Sequence, residues 1–171
     1  MNRNKVVMFA ASQGGHFTEL MYLHSLFEKF NSVLVTDNLS ANKNDKRCCT
    51  FKEIEYSRAW VERRLSTGGL TKTKNRWQNL GTYLKMFIEC FKIYIKYKPS
   101  IVISTGSYIA VPLFICAKIF HAKTIYIESN ARVYTKSTTG ILIEKFSDKL
   151  YVQWPELKEQ YSKAEYHGLL Q

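Results

Sequence analysis

An apolar run, Val6 to Ala10, leads into Ser12-Gln13-Gly14-Gly15-His16, and beyond it Phe17, Leu20, Leu23 and Phe27 recur at helical spacing. The run has the length and the Val and Phe content of a buried strand, and the later spacing is that of one helix face. A buried strand that passes through a glycine turn straight into a helix constrains the fold strongly, because parallel strands need such a crossover to return. The glycines let the backbone approach a ligand closely. The free N–H groups of the first helical turn and the helix dipole then suit the place to a phosphate or diphosphate. The loop is not GxGxxG, and no Lys-Ser/Thr follows it in Walker style.

The same alternation continues along the chain. Strands are expected at Lys5 to Ala11, Ser32 to Asp37, Phe51 to Tyr56, Ile101 to Thr105, Lys123 to Glu128 and Lys149 to Trp154. Helices are expected at His16 to Phe30, Trp77 to Tyr97 (stopped by Pro99), Val111 to Phe120 (opened by Pro112), Thr139 to Phe146 and Pro155 to Ser162. Residues Tyr166 to Leu170 read as a last extended piece. Asn38 to Thr50 is a polar loop, and Arg58 to Arg76, with Gly68-Gly69, a mobile basic one. This predicts an α/β fold: a single Rossmann-like domain of 171 residues with a parallel sheet and helices on both faces. In such sheets ligands bind beyond the C-terminal ends of the strands. Three unusual loops fall there, Ser12 to His16, Thr105 to Tyr108 and Glu128 to Arg132, and they are expected to line one crevice.

The residue types in these loops suit sugar and phosphate. Ser104-Thr105-Gly106-Ser107-Tyr108 carries more hydroxyls than a turn needs. Glu128-Ser129-Asn130-Ala131-Arg132 brings a carboxylate, an amide and a guanidinium to one strand end. The candidate ligand-binding residues are Ser12, Gly14, Gly15, Thr105, Gly106, Ser107, Tyr108, Glu128, Asn130 and Arg132. His16 is a candidate general base or phosphate contact, since histidine titrates near neutral pH; a capping or structural role stays open beside it. A salt bridge inside the third loop is likewise an alternative for Glu128 and Arg132. No metal site is expected, because the four cysteines and four histidines show no ligand spacing.

The net charge of +11 points to a polyanionic partner. Ten basic residues and two acids fall between Arg58 and Lys98, which is most of that excess. Two readings of this basic aromatic segment stay open. Trp77 to Lys98 is a core helix with a solvated basic face, or it lies on an anionic membrane with aromatic residues at headgroup level. The candidate membrane contacts are Arg63, Arg64, Lys72, Lys74, Arg76, Trp77, Lys85, Lys92 and Lys96. Val111 to Phe120 is read as core, with dipping into lipid as the alternative. No run reaches the roughly 18 to 20 apolar residues of a spanning helix, and no signal peptide is visible. Cys48, Cys49, Cys90 and Cys116 are read as reduced thiols of a cytosolic protein. Nothing matches a recognition helix, a zinc spacing or an RNP-type strand, so no nucleic-acid partner is expected.

Three motifs in this order resemble a known family: Ser12-Gln13-Gly14-Gly15-His16 with Glu19-Leu20, Ser104-Thr105-Gly106-Ser107-Tyr108 with Pro112, and Glu128-Ser129-Asn130-Ala131-Arg132-Val133. Ser137, Gly140 and Tyr151-Val152-Gln153-Trp154-Pro155 extend the match. The chain resembles the Alg-fourteen-like, membrane-anchoring subunit of the two-piece UDP-GlcNAc transferase, and the bacterial CpsF/PssD-type proteins of capsule and exopolysaccharide assembly. The resemblance implies the N-terminal, acceptor-binding half of a GT-B glycosyltransferase, similar to that of MurG. It implies a small donor-binding partner chain with a second Rossmann-like fold, a UDP-sugar bound mainly by that partner, and no cofactor. The acceptor would be a polyprenyl-diphosphate-linked sugar, and the transfer an inverting one with little or no activity in this chain alone. It also implies that Gly14 and Gly15 cradle the diphosphate, that His16 is the base, and that Glu128 and Asn130 line the crevice. The eukaryotic subunit has an N-terminal membrane helix that is not seen here. The basic aromatic segment is therefore expected to hold the protein peripherally on the cytoplasmic face of the membrane. The competing readings are a stand-alone Rossmann-like nucleotide or sugar-phosphate enzyme and a basic nucleic-acid-binding protein.

Overall fold

The computed structural model describes residues 5–12, 14–27, 29–36, 53–56 and 76–170. Seven strands form one sheet in the order β3-β2-β1-β4-β5-β6-β7: β1 Val6–Ala10, β2 Asn31–Thr36, β3 Glu53–Tyr56, β4 Ile101–Ser104, β5 Lys123–Ile127, β6 Lys149–Val152 and β7 Ala164–Tyr166. Every pairing is parallel, with Met8 opposite both Val33 and Val102 at the centre. The helices are α1 Gly15–Met21, α2 His24–Phe27, α3 Arg76–Tyr97, α4 Ala110–Ile119, α5 Thr138–Ile143 and α6 Pro155–Lys158.

The two-residue period of β1 explains why both faces must be covered. Val7, Phe9 and Ala11 point into one cluster with Phe17, Leu20, Met21 and Phe27 of α1 and α2. Met8 and Ala10 point into the other, with Met86, Cys90 and Tyr94 of α3, Leu113 and Phe114 of α4, and Ile143 of α5. Cys90 and Cys116 lie buried in this second layer as free thiols. The expected α/β class, with a parallel sheet and helices on both faces, is the observed one.

Three elements differ from expectation. The helix expected over His16 to Phe30 is broken at Tyr22 and Leu23, whose N–H groups bond three residues back, to Glu19 and Leu20. The last strand is Ala164–Tyr166, and residues 167–170 are irregular. Most telling is α3. Its expected apolar face comprises Trp77, Leu80, Leu84, Phe87, Ile88, Phe91 and Ile95; of these Leu84, Ile88, Phe91 and Ile95 are 60%, 45%, 40% and 38% exposed, Phe87 is half-buried, and the side chains of Trp77 and Leu80 lie outside the described set. Met86, Cys90, Ile93 and Tyr94 are the residues that pack inward. The helix is apolar on two sides, and only one can face α4. The expected loop at Asn38 to Thr50 lies outside the described residues, as does the one expected at Arg58 to Arg76 apart from Arg76 itself, which begins α3.

Candidate functional site

The strand order reverses between β1 and β4, since β2 lies on one side of β1 and β4 on the other. That is where an open parallel sheet has its crevice, and the loops after β1 and β4 are tied together there. Ser104 Oγ donates to the Ala10 carbonyl at 2.6 Å. Thr105 Oγ1 donates to the His16 carbonyl at 2.6 Å, and His16 Nδ1 lies 3.0 Å from the Thr105 carbonyl. A carbonyl only accepts, so Nδ1 carries the hydrogen and the lone pair of the neutral ring is on Nε2. His16 is thus held at both backbone and ring, with its basic nitrogen fixed.

Gly106 shapes this arrangement. Its φ is +129°, and a Cβ there would come within 2.5 Å of His16 Nδ1. The imidazole rests on the bare backbone of Gly106, so no larger residue fits without displacing the ring. Gly14 and Gly15 are exposed, and open space lies where their side chains would stand. Gly14 also has a positive φ of 98°.

The β5 loop joins through Glu19. On α1, Glu19 is three residues from His16 and so shares its helix face. Its Oε1 accepts from Ser129 Oγ at 2.8 Å and from the Asn130 N–H at 3.2 Å. Burial pushes the Glu19 carboxyl above the usual carboxylate range, against those two hydrogen bonds and the nearby His16, which pull it down. Gln153 and Trp154, at the end of β6, donate to the Glu128 and Asn130 carbonyls at 3.0 and 2.6 Å.

All three expected loops therefore meet at one crevice, but their side chains divide the work differently. Glu128, expected to line the crevice, is completely buried. Its Oε1 accepts from Tyr126 at 3.2 Å and from the Ser129 N–H at 3.0 Å. Its Oε2 accepts from the Ser137 N–H at 3.2 Å, from Ser137 Oγ at 2.9 Å and from the Tyr161 hydroxyl. Both oxygens are occupied by the chain's own donors, so Glu128 anchors the loop from beneath. Burial, and then the Glu128 carboxylate, push the Tyr161 hydroxyl well above the ordinary tyrosine range. A side chain at Gly140 would collide with that hydroxyl and with Glu128.

The expected hydroxyls are mostly spent on backbone. Thr105 bonds His16, and Ser107, at a φ of 81°, accepts from the Ile109 N–H at 3.4 Å. Ser12 is buried at the β1 end. Tyr108 packs edge-on to Tyr83 with ring centroids 6.2 Å apart. Asn130 and Arg132 are exposed at the β5 loop. Among the described residues no group of His, Cys, Asp and Glu is placed to hold a metal ion. Glu19, Gln153, Trp154 and Tyr161 had not been expected as site residues; the spacing of Glu19 from His16 was the available signal for the first.

Of the candidate membrane contacts, Lys85, Lys92 and Lys96 are exposed. At about 100° per residue they run along one flank of the Leu84, Ile88, Phe91 and Ile95 stripe. Phe120, at the end of α4, meets Phe91 on the other flank with centroids 6.2 Å apart, and both Ile119 and Phe120 are exposed. Arg76 and Trp77 begin α3, their side chains outside the described set; Arg63, Arg64, Lys72 and Lys74 lie outside the described residues. Among the described residues no helix is long and apolar enough to cross a membrane.

The UDP-N-acetylglucosamine transferase subunit ALG14 of Debaryomyces hansenii is 42% identical over 184 aligned residues, covering 98% of this chain and 77% of that protein. The same-named subunit of Yarrowia lipolytica is 37% identical over 90 residues, 49% of this chain and 42% of that one. In fold the chain is similar to Acinetobacter baumannii MurG, at a TM-score of 0.67 and 13% identity, over 95% of this chain but 45% of MurG. The chain thus spans less than half of MurG. The family described as "Oligosaccharide biosynthesis protein Alg14 like" matches residues 6–170, and the chain belongs to that family.

Proposed function

We propose that this chain is the acceptor-side subunit of a two-subunit glycosyltransferase that moves N-acetylglucosamine from UDP-N-acetylglucosamine to a lipid-linked diphosphate sugar. The observation that carries this reading is the His16 ring, fixed by the Thr105 carbonyl with Nε2 as its basic atom, at the crevice of a chain whose relatives are named as transferase subunits. Nε2 takes the proton of the acceptor hydroxyl as that oxygen attacks the anomeric carbon. The UDP departs from the opposite face, which inverts the centre. The open backbone at Gly14 and Gly15 receives the acceptor diphosphate, and Arg132 supplies positive charge at the far loop. A separate Rossmann-like chain binds the UDP-sugar and closes the crevice.

The membrane role is part of the same proposal. The apolar stripe of α3 with its row of lysines favours the interfacial reading of this helix. It sets the protein peripherally on the cytoplasmic face, where a polyprenyl carrier presents its head group. The product's destination, an oligosaccharide or a capsule-type polysaccharide, follows from which lipid-linked acceptor the pair accepts.

Reconstitution tests the proposal. The chain co-purified with its partner subunit should transfer N-acetylglucosamine to a diphosphate-linked acceptor, and His16→Ala should slow it by roughly 10²–10⁴-fold with the fold intact. Robust transfer by the purified chain alone would overturn the subunit reading, and an undiminished His16→Ala rate would overturn the base.

A further inference from the structure

An apolar cavity lies where α3, α4 and α5 meet. Tyr83, Met86 and Phe87 of α3, Tyr108 and Val111 at the start of α4, and Leu142 of α5 line a cavity of about 350 Å³. No charged side chain is among its described walls. Tyr108 belongs to the same loop as Gly106, on which His16 rests, and two residues of chain span at most about 7 Å. The wall of the cavity therefore starts within that distance of the backbone on which His16 rests. At the other end the cavity adjoins apolar surface. Leu142 is exposed, and Phe87 lies on α3 between its buried face and its exposed stripe.

We propose that this cavity holds the first isoprenoid units of a polyprenyl diphosphate, directly behind the diphosphate, while the rest of the hydrocarbon stays in the lipid. The inference rests on the lipid-linked acceptor argued above and adds a recognition site for its tail. A branched hydrocarbon suits walls made of tyrosine and phenylalanine ring faces and short aliphatic groups. Its place at the start of α4, in the loop that carries Gly106, and the exposed apolar Leu142 at its rim suit a ligand polar at one end and apolar at the other. Burying even two methylene-sized groups is worth roughly tenfold in affinity.

Direct binding to the purified full chain tests this, with farnesyl diphosphate below its micelle concentration compared with inorganic diphosphate by calorimetry. The wild type should bind farnesyl diphosphate at least tenfold more tightly. Val111→Phe, which fills the cavity, and Leu142→Glu, which puts a charge at its exposed rim, should each remove that advantage and leave inorganic diphosphate unchanged. Phe91→Glu, on the stripe outside the cavity, should keep it. No farnesyl advantage in the wild type would overturn the proposal, as it would if the cavity were occupied by other protein. So would an advantage that survives both cavity variants or is lost equally in Phe91→Glu. A farnesyl advantage in a chain whose reconstituted pair transfers nothing would support the cavity and overturn the transferase reading.

Discussion

Glu19 is the residue on which the crevice turns. One of its oxygens holds the β5 loop, and the other, Oε2, is buried with no hydrogen-bond partner among the described residues. Because burial raises its pKa in the folded chain, the proton is held more tightly there than in the unfolded chain. The resulting stability is fully present below the ordinary value of 4.5 and is lost as pH rises through the raised one. Glu19→Gln keeps an acceptor for Ser129 and Asn130 without a charge to bury. It should be more stable than the wild type at pH 7, with the difference vanishing below pH 4.5; denaturant midpoints across that range check it. Glu19→Ala leaves Ser129 and Asn130 unpaired and should cost about 2 kcal/mol. Gly106→Ala should push the His16 ring off the Thr105 carbonyl, read by loss of the Nδ1-protonated tautomer in nitrogen NMR. At this scale the sequence showed which residue types gather at the strand ends, but it did not show what each side chain bonds. The hydroxyls of Ser104 and Thr105 and the carboxylate of Glu128 looked like ligand groups because their partners, the Ala10 and His16 carbonyls and Tyr161, are distant in sequence.

Among the elements, α3 and α5 carry the sharpest consequences. α5 can sit over Glu128 only because residue 140 has no side chain. Gly140→Ala should cost about 3 kcal/mol through the collision and the disturbed Tyr161 bond, visible as a lower Tm. For α3, Phe91→Glu with Ile95→Glu should abolish binding to anionic vesicles without lowering Tm, because both residues are exposed. Lys85→Glu with Lys92→Glu should weaken that binding most at low salt, where screening is least. The strands were readable as short Val- and Ile-rich runs, and α3 as a long periodic one. Which apolar side of α3 packs inward was not, since Leu84, Ile88, Phe91 and Ile95 make as good a helical stripe as Met86, Cys90, Ile93 and Tyr94. Only the position of α4 decides between them. Strand β7 escaped because three residues, Ala-Glu-Tyr, show no usable alternation.

For the whole molecule, the parallel order of the sheet followed from the alternation of strands and helices, and with it the meeting of three loops at one end. Its acid limit comes from outside that crevice. Asp148 accepts from the Thr124 N–H at 2.8 Å and from Lys118 at 2.6 Å. Burial raises its pKa, but these bonds outweigh it and hold the carboxyl below its ordinary range. The stability it contributes is present above the ordinary value of 3.8 and is lost as pH falls through the lowered one. Asp148→Asn should flatten the acid limb of a stability-against-pH curve without shifting the neutral one. The crevice has a temporal consequence as well. Three of its bonds join His16 to Thr105, Glu19 to Ser129 and Glu128 to Tyr161; each of these spans a long stretch of chain, and such contacts close late in folding. During synthesis the glycine loop is made well before Thr105 and has nothing to grip until that residue follows. The Glu128 loop must likewise wait for Tyr161. A nascent chain therefore has strands long before it has a closed crevice.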